Sequence, residues 1–196
     1  MVSENLGEKR LKKEESLYVP IMNTVRVILA YNYVEKEKKY QHQLDSSPNP
    51  YLEITALGNF SERLKNLFDY YLFKNLSAEL LKPDITGFVK KTSSSNPERV
   101  TVEVKATVIK IKDVLQAKLY QDIFGAKFSL VISPKGISAE KLEVVLKYDK
   151  KIRGNVIIAK FVRPYPQIEE GCIYVPPKLE KLVPAPFNKF LDNQQS

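Results

Sequence analysis

The chain has 196 residues, 43% of them hydrophobic, and a formal charge of +8, enough for one domain with a real core, or one domain with additions. A single cysteine, Cys172, and a single histidine, His42, exclude an intrachain disulfide, a cysteine metal cluster and any site built on two histidines. There is no run of about 18 apolar residues and no apolar signal core near the start, so the expectation is a cytoplasmic chain with no membrane contact.

Residues 1–15 carry four basic side chains against four acidic ones and few apolar ones, the composition of a frayed or mobile helix. Residues 17–34 are rich in Val, Ile and Tyr and are interrupted by Pro20. This reads as a short edge piece followed by a strand over 24–34, with Tyr31 and Tyr33 on one face, as packing or as a platform for bases. Residues 35–39 are a charge run suited to a solvated turn, His42 lies in a polar stretch, and 46–50 form a loop. Residues 51–57 read as a strand pairing with the first, or as the lead into a helix. Residues 1–57 are therefore expected to be an N-terminal β elaboration, a hairpin on the body.

A helix is predicted over 59–76, with Asn59 or Ser61 as N-cap and Leu64, Leu67, Phe68, Tyr71 and Leu72 as its buried stripe. A short strand fits 78–81. Residues 85–89 and 100–107 read as an antiparallel pair of strands joined by a serine-rich turn over 90–97. Residues 112–124 have Val114, Leu115, Leu119 and Ile123 at helical spacing and Gly125 placed to stop them. A buried strand at 128–133, a turn around Pro134 and Gly136, a helix over 138–148 and a strand over 155–162 follow. Residues 58–163 thus form the core, a mixed α/β unit of helix, three strands, helix and strand. Residues 164–196 are a proline-punctuated tail expected to pack on the body or on a partner chain.

Chemistry concentrates in residues 83–120. Side chains two apart on a strand share a face, so Glu103 and Lys105 point together, away from Val102, Val104 and Ala106. Asp84 sits at the end of the neighbouring strand, close to that face. Two converging carboxylates beside an ammonium suit a hard cation such as Mg²⁺ or Mn²⁺. The bland alternative is an exposed Glu103–Lys105 ion pair on a solvated strand. Gln116 and Tyr120 are four apart and share a helix face. Between 82 and 163 there are 17 Lys and Arg against 8 Asp and Glu, a net of +9, while the rest of the chain sums to −1. Such an excess is the footprint of a phosphate-backbone partner, or of a lysine-rich solubilising surface. Lys118, Lys147, Lys150, Lys151 and Arg153 are the candidate phosphate contacts, the last four also fitting a helix C-terminus.

Pro83-Asp84 followed by Glu103-Val104-Lys105 resembles the signature of the PD-(D/E)XK nuclease superfamily. The run from Gln116 to Tyr120 resembles the Gln-x-x-x-Tyr motif of its RecB-type exonuclease branch, and Glu103-Val104-Lys105-Ala106-Thr107 is similar to archaeal Holliday-junction resolvases. The resemblance covers about residues 60–133. It implies a restriction-endonuclease-like core, with Asp84, Glu103 and the Val104 carbonyl as metal ligands, Lys105 as catalytic lysine, and Gln116 and Tyr120 supporting the site or touching the nucleic-acid backbone. It also implies an acidic residue on the helix before the sheet, for which Glu62 is the best match, beside its plain role in an early helical turn.

The function expected is a Mg²⁺-dependent deoxyribonuclease acting on duplex, branched or ended DNA, as an end-processing exonuclease or as a junction resolvase, the latter as a homodimer. The alternative is a non-catalytic nucleic-acid-binding protein on the same scaffold. The chain departs from both patterns: one cysteine rules out a four-cysteine iron–sulfur version, and no Gly- and Ser-rich segment precedes Pro83. High Lys, Glu, Ile and Val content points to a thermophilic, archaeal source.

Overall fold

The computed structural model describes residues 2–34, 49–58, 60–69, 74–75, 82–147, 155–161 and 172–174, with 2–12, 31–32 and 172–174 described by their backbone alone. Helix α1 (Val2–Asn32) leads into strand β1 (Tyr51–Ile54), short helix α2 (Glu62–Lys65), and strands β2 (Ile85–Val89) and β3 (Glu98–Val104). Helix α3 (Ile111–Phe124), strand β4 (Phe128–Ser133), helix α4 (Ala139–Lys147), and strands β5 (Val156–Lys160) and β6 (Cys172–Tyr174) complete it. The strands form one sheet in the order β1-β2-β3-β4-β5-β6. β2 is antiparallel to both β1 and β3, β3, β4 and β5 are parallel, and β6 is antiparallel to β5. This is a mixed α/β chain with a mixed sheet, as expected. Parallel neighbours need a crossover, and α3 and α4 supply the two.

The N-terminal region departs from expectation. Residues 24–34 are not a strand, and 1–57 is not a hairpin: α1 runs through both, with Pro20 inside it. The β-branched side chains argue for a strand, but Leu17, Tyr18, Ile21, Val25, Leu29 and Tyr33 recur every three or four residues and are all buried. Burial of that stripe outweighs local propensity. Pro20 cannot bond the carbonyl of Ser16, and Ser16 lies on the exposed side of the helix. β1 pairs instead with β2, from Tyr51↔Phe88 to Ile54↔Ile85. The stretches 35–48, including His42, and 78–81 lie outside the described residues, as do Tyr71 and Leu72 of the helix expected over 59–76. The helix expected over 59–76 is not continuous: α2 spans only Glu62–Lys65, N-capped by Ser61, and residues 66–69 leave the helical path.

Both faces of the sheet are covered, which is why β2 and β4 are buried along their whole length. On one face α1 packs against Leu52, Ile85, Val89, Val100, Val102, Val104, Leu130 and Ile132. On the other, α3 and α4 enclose Ile109, Val114, Ala117, Val131, Val145, Val156 and Ile158. A third cluster joins Leu64, Phe68, Phe88, Tyr120 and Phe124, and Arg99 braces it by donating to the carbonyls of Leu67 (2.9 Å) and Phe124 (3.3 Å). The buried side of α3 is rotated from the predicted one. Val114, Ala117, Tyr120, Gln121 and Phe124 face inward, while Leu115 and Leu119 are exposed. Gln121 is tolerated inside because it accepts from the Asn155 amide at 3.0 Å. As predicted, Gly125 ends α3, in the left-handed conformation (φ 58°).

The expected antiparallel pairing of β2 and β3 is present, from Ile85↔Val102 to Val89↔Glu98. Gly87 is required where β1 crosses it: a Cβ there would lie 2.0 Å from the Tyr51 carbonyl oxygen and 2.8 Å from Leu52 Cα. Backbone cannot yield as a flexible side chain does, so Gly87→Ala is expected to lower stability by about 1–3 kcal/mol, measured by urea denaturation.

Candidate active site

The site grows out of the β2–β3 register. Ile85 faces Val102, so one further step sets Asp84 opposite Glu103; Glu103 lies on the face that α3 covers, while the Asp84 carboxylate, just outside β2, reaches Tyr18 of α1. Asp84 is held from several sides. Its backbone carbonyl accepts from the amides of Thr55 (2.8 Å) and Ala56 (3.0 Å). The buried Thr55 hydroxyl donates to the Pro83 carbonyl at 2.7 Å and lies 2.9 Å from the Thr86 hydroxyl. The carboxylate accepts from the Val104 amide at 2.6 Å and from the Tyr18 hydroxyl at 3.2 Å. Val104 therefore joins the site through its N–H as well as lying between Glu103 and Lys105.

Glu103 is 2% exposed, and one of its oxygens pairs with the Lys105 ammonium. The other, Oε2, is buried without a hydrogen-bond partner. Unlike the exposed pair that the sequence left open, this pair is sequestered. Gln116 and Tyr120 meet as expected: Gln116 Nε2 donates to the Tyr120 hydroxyl at 2.5 Å, and that hydroxyl donates to the Lys82 carbonyl at 2.9 Å. Their role is to clamp the backbone immediately before Pro83-Asp84. Asp113 accepts from the Lys110 amide at 2.7 Å, fixing the start of α3.

Two residues of α1 were not anticipated. Besides Tyr18, Glu14 is buried and accepts from the Ala106 amide at 3.3 Å. Glu14, Tyr18, Ile21 and Val25 lie on one helical side, a period visible in the sequence once the segment is taken as a helix. The charge of Glu14 acts on Asp84. Glu62 is exposed, pairs with Lys65, and is remote in its interactions from Asp84 and Glu103.

Of the candidate phosphate contacts, Lys118 and Lys147 fall within the described residues. Lys118 is neutralised by Asp122 one turn along α3. Lys147 is exposed at the end of α4. That helix starts beyond the C-terminal end of β4 and returns to the N-terminal end of parallel β5, so Lys147 lies at the end of the sheet away from Glu103. Lys150, Lys151 and Arg153 lie outside the described residues.

Electrostatics follow from crowding charge out of water. Burial raises Asp84 to about 6, against the lowering pull of the Val104 amide and Lys105. Burial, then repulsion from Asp84, raises Glu103 to about 8. Burial works against the Lys105 ammonium, but the carboxylates outweigh it and its pKa is raised. Burial and the nearby Glu103 charge raise Tyr120 well above an ordinary phenol. Among the described residues no three His, Cys, Asp or Glu side chains form a group that could hold a metal ion. Two carboxylates are sufficient for Mg²⁺, which keeps several of its waters. The unpartnered Glu103 oxygen beside Asp84 is the kind of hard, buried donor that a divalent cation satisfies.

No protein-family model, curated protein or solved structure matches the chain. Among the described residues no helix is long and apolar enough to cross a membrane.

Both carboxyl groups have folded pKa values above their ordinary ones, so their contribution to stability is fully present at acid pH, below the unfolded values. It is lost as pH rises through about 6 and then about 8. In EDTA the melting temperature of the wild type is therefore expected to fall across that window. Glu103→Gln should flatten the upper part of the fall, and Mn²⁺ should raise the wild-type melting temperature most at the alkaline end. Differential scanning calorimetry against pH checks all three.

Proposed function

We propose that the protein is a metal-dependent deoxyribonuclease of the PD-(D/E)XK kind, with Asp84, Glu103 and Lys105 at its centre. The observation that carries this reading is the buried Glu103 oxygen with no partner, set beside Asp84 and next to a paired Lys105. The order of elements supports it. A helix precedes three antiparallel strands, then come a helix and a strand parallel to the third, with Asp84 at the head of the second strand and Glu103 in the third. In this reading the helix before the sheet is α1, and its acidic residue is Glu14 rather than Glu62.

Asp84 and Glu103, with the Val104 carbonyl, would hold Mg²⁺ or Mn²⁺, which when bound polarises a phosphodiester and lowers the pKa of a water. The protein's own groups do the positioning. The Val104 amide and the Tyr18 hydroxyl fix the Asp84 carboxylate. Lys105, its pKa raised, remains an ammonium and acts as a hydrogen-bond donor. There it orients the attacking water and offsets the negative charge that builds on the phosphoryl oxygens. Gln116 and Tyr120 hold the strand entry in place, so their contribution to rate passes through Asp84.

A cleavage panel tests the reading: single-stranded, duplex, flapped and four-way-junction DNA with Mg²⁺, Mn²⁺ or EDTA. Wild type is expected to cut only with metal. Glu103→Ala and Lys105→Ala should each lose about a hundredfold or more in rate while keeping a cooperative melt. Preference for ends or for junctions separates end processing from resolution. Glu103→Ala cutting as fast as wild type would overturn the mechanism, and binding without any cutting would favour a non-catalytic nucleic-acid-binding scaffold.

A further inference from the structure

Among the described residues, several lysines outside the basic run of the sequence stand around the candidate site. β3, β4 and β5 are parallel, so their C-terminal ends open on the same edge of the sheet as Glu103 and Lys105. Continuing the register from Val104↔Ile132 puts Lys105 beside Ser133, which pairs with Lys160. Lys105 and Lys160 are then two strand spacings apart, roughly 10 Å at the backbone. Lys160 is exposed and follows Ile158 on the face that carries Glu103.

The loops that leave this edge are fastened to each other. Ile109 and Ile137 form a parallel bridge, and the Ile109 amide donates to the Gly136 carbonyl at 2.8 Å. Ser133 Oγ donates to the Thr107 carbonyl at 2.6 Å and accepts from the Lys135 amide at 3.0 Å. Lys110 and Lys135 each lie one residue from the bridging hydrogen bond, on adjacent braced loops, and Lys112 follows in the first turn of α3. Lys110, Lys112, Lys135 and Lys160 are all exposed, and none pairs with a carboxylate among the described residues. Lys118 and Lys127, by contrast, are neutralised by Asp122 and Glu98. The opposing charges near the rim are Asp113, buried in the first turn of α3 beside Lys110 and Lys112, and Glu140, exposed in the first turn of α4.

We propose that Lys110, Lys112, Lys135 and Lys160 form a phosphate-contacting rim that seats the backbone of duplex DNA across the C-terminal edge of β3–β5, over Glu103 and Lys105. This rests on the nuclease reading for its choice of partner but not on catalysis. Unpaired ammonium groups on braced loops attract a polyanion, and binding releases its counterions, which gives a steep salt dependence. Lys147, at the other end of the sheet, takes no part.

The test measures fluorescence anisotropy of a short labelled duplex in EDTA, over a range of salt, so that cleavage does not intrude. The proteins are wild type, the triple variant Lys110→Glu/Lys112→Glu/Lys135→Glu, its milder Gln counterpart, and Lys147→Glu. The triple Glu variant is expected to bind about tenfold weaker or worse, with a salt slope shallower by about three, one per lysine. The Gln variant should lose the same slope with an unchanged melt, and Lys147→Glu should bind as wild type does. Equal binding by wild type and the Gln variant, equal loss in Lys147→Glu, no binding by wild type, or binding of single-stranded RNA in preference to the duplex would each overturn the proposal. A wild type that never cuts DNA, yet loses binding in the rim variants, would remove the nuclease reading and leave the rim standing.

Discussion

Two carboxylates, Asp84 and Glu103, are taken out of water beside one ammonium, Lys105. Burying charge is costly unless every lone pair finds a donor. The surrounding structure answers most of that demand. The Val104 amide, the Tyr18 hydroxyl and Lys105 supply donors, and the elements that bring them are the sheet edge and the helices on either face. The residue left over is Glu103 Oε2. Protein interiors rarely leave such an atom unsatisfied, so the fold accepts a local cost at the site; among the described residues Arg26 Nε is the other buried side-chain atom without a partner. Function commonly occupies such places.

The same demand explains how the helices are seated. α1 contributes Tyr18 and Glu14 from one layer, and α3 contributes Gln116 and Tyr120 from the other. The site lies where the two layers meet at the ends of β2 and β3. Neither helix could slide by a turn without parting these contacts, because the apolar stripes beneath them, Ile21 and Val25 on α1 and Val114 and Ala117 on α3, are fully packed.

The strands and the site were legible for one reason: two-residue alternation and register are local. Val102 and Val104 against Glu103 and Lys105 announced which side was apolar and which carried the charge, and the 90–97 turn announced an antiparallel pair. What could not be read was set by distant partners. Residues 24–34 are β-branched enough to pass for a strand, and only the sheet face waiting for Ile21, Val25 and Leu29 makes them helical. Leu115 and Leu119 looked like core, but hydrogen bonds to Lys82 and Asn155 draw Tyr120 and Gln121 inward instead. Glu62 and Glu14 both sit on helices ahead of β2, and the charge of Glu14, on the helix that crosses the sheet, acts on Asp84. Lys147 belongs to the densest basic run, yet chain direction through a parallel crossover carries it away from Glu103.

The bonds from Thr55 to Pro83 and Asp84 also have an evolutionary consequence. They cinch the chain where it leaves β1 and where it enters β2, so the excursion between them has a closed neck. A change of length between that neck and Ser61, whose amide donates to Glu53, alters a stretch whose two ends are already fixed, and loop closure depends only weakly on length. The chain can therefore vary in size there, ahead of the packed Leu64 and Phe68, while the Asp84 carboxylate keeps its position.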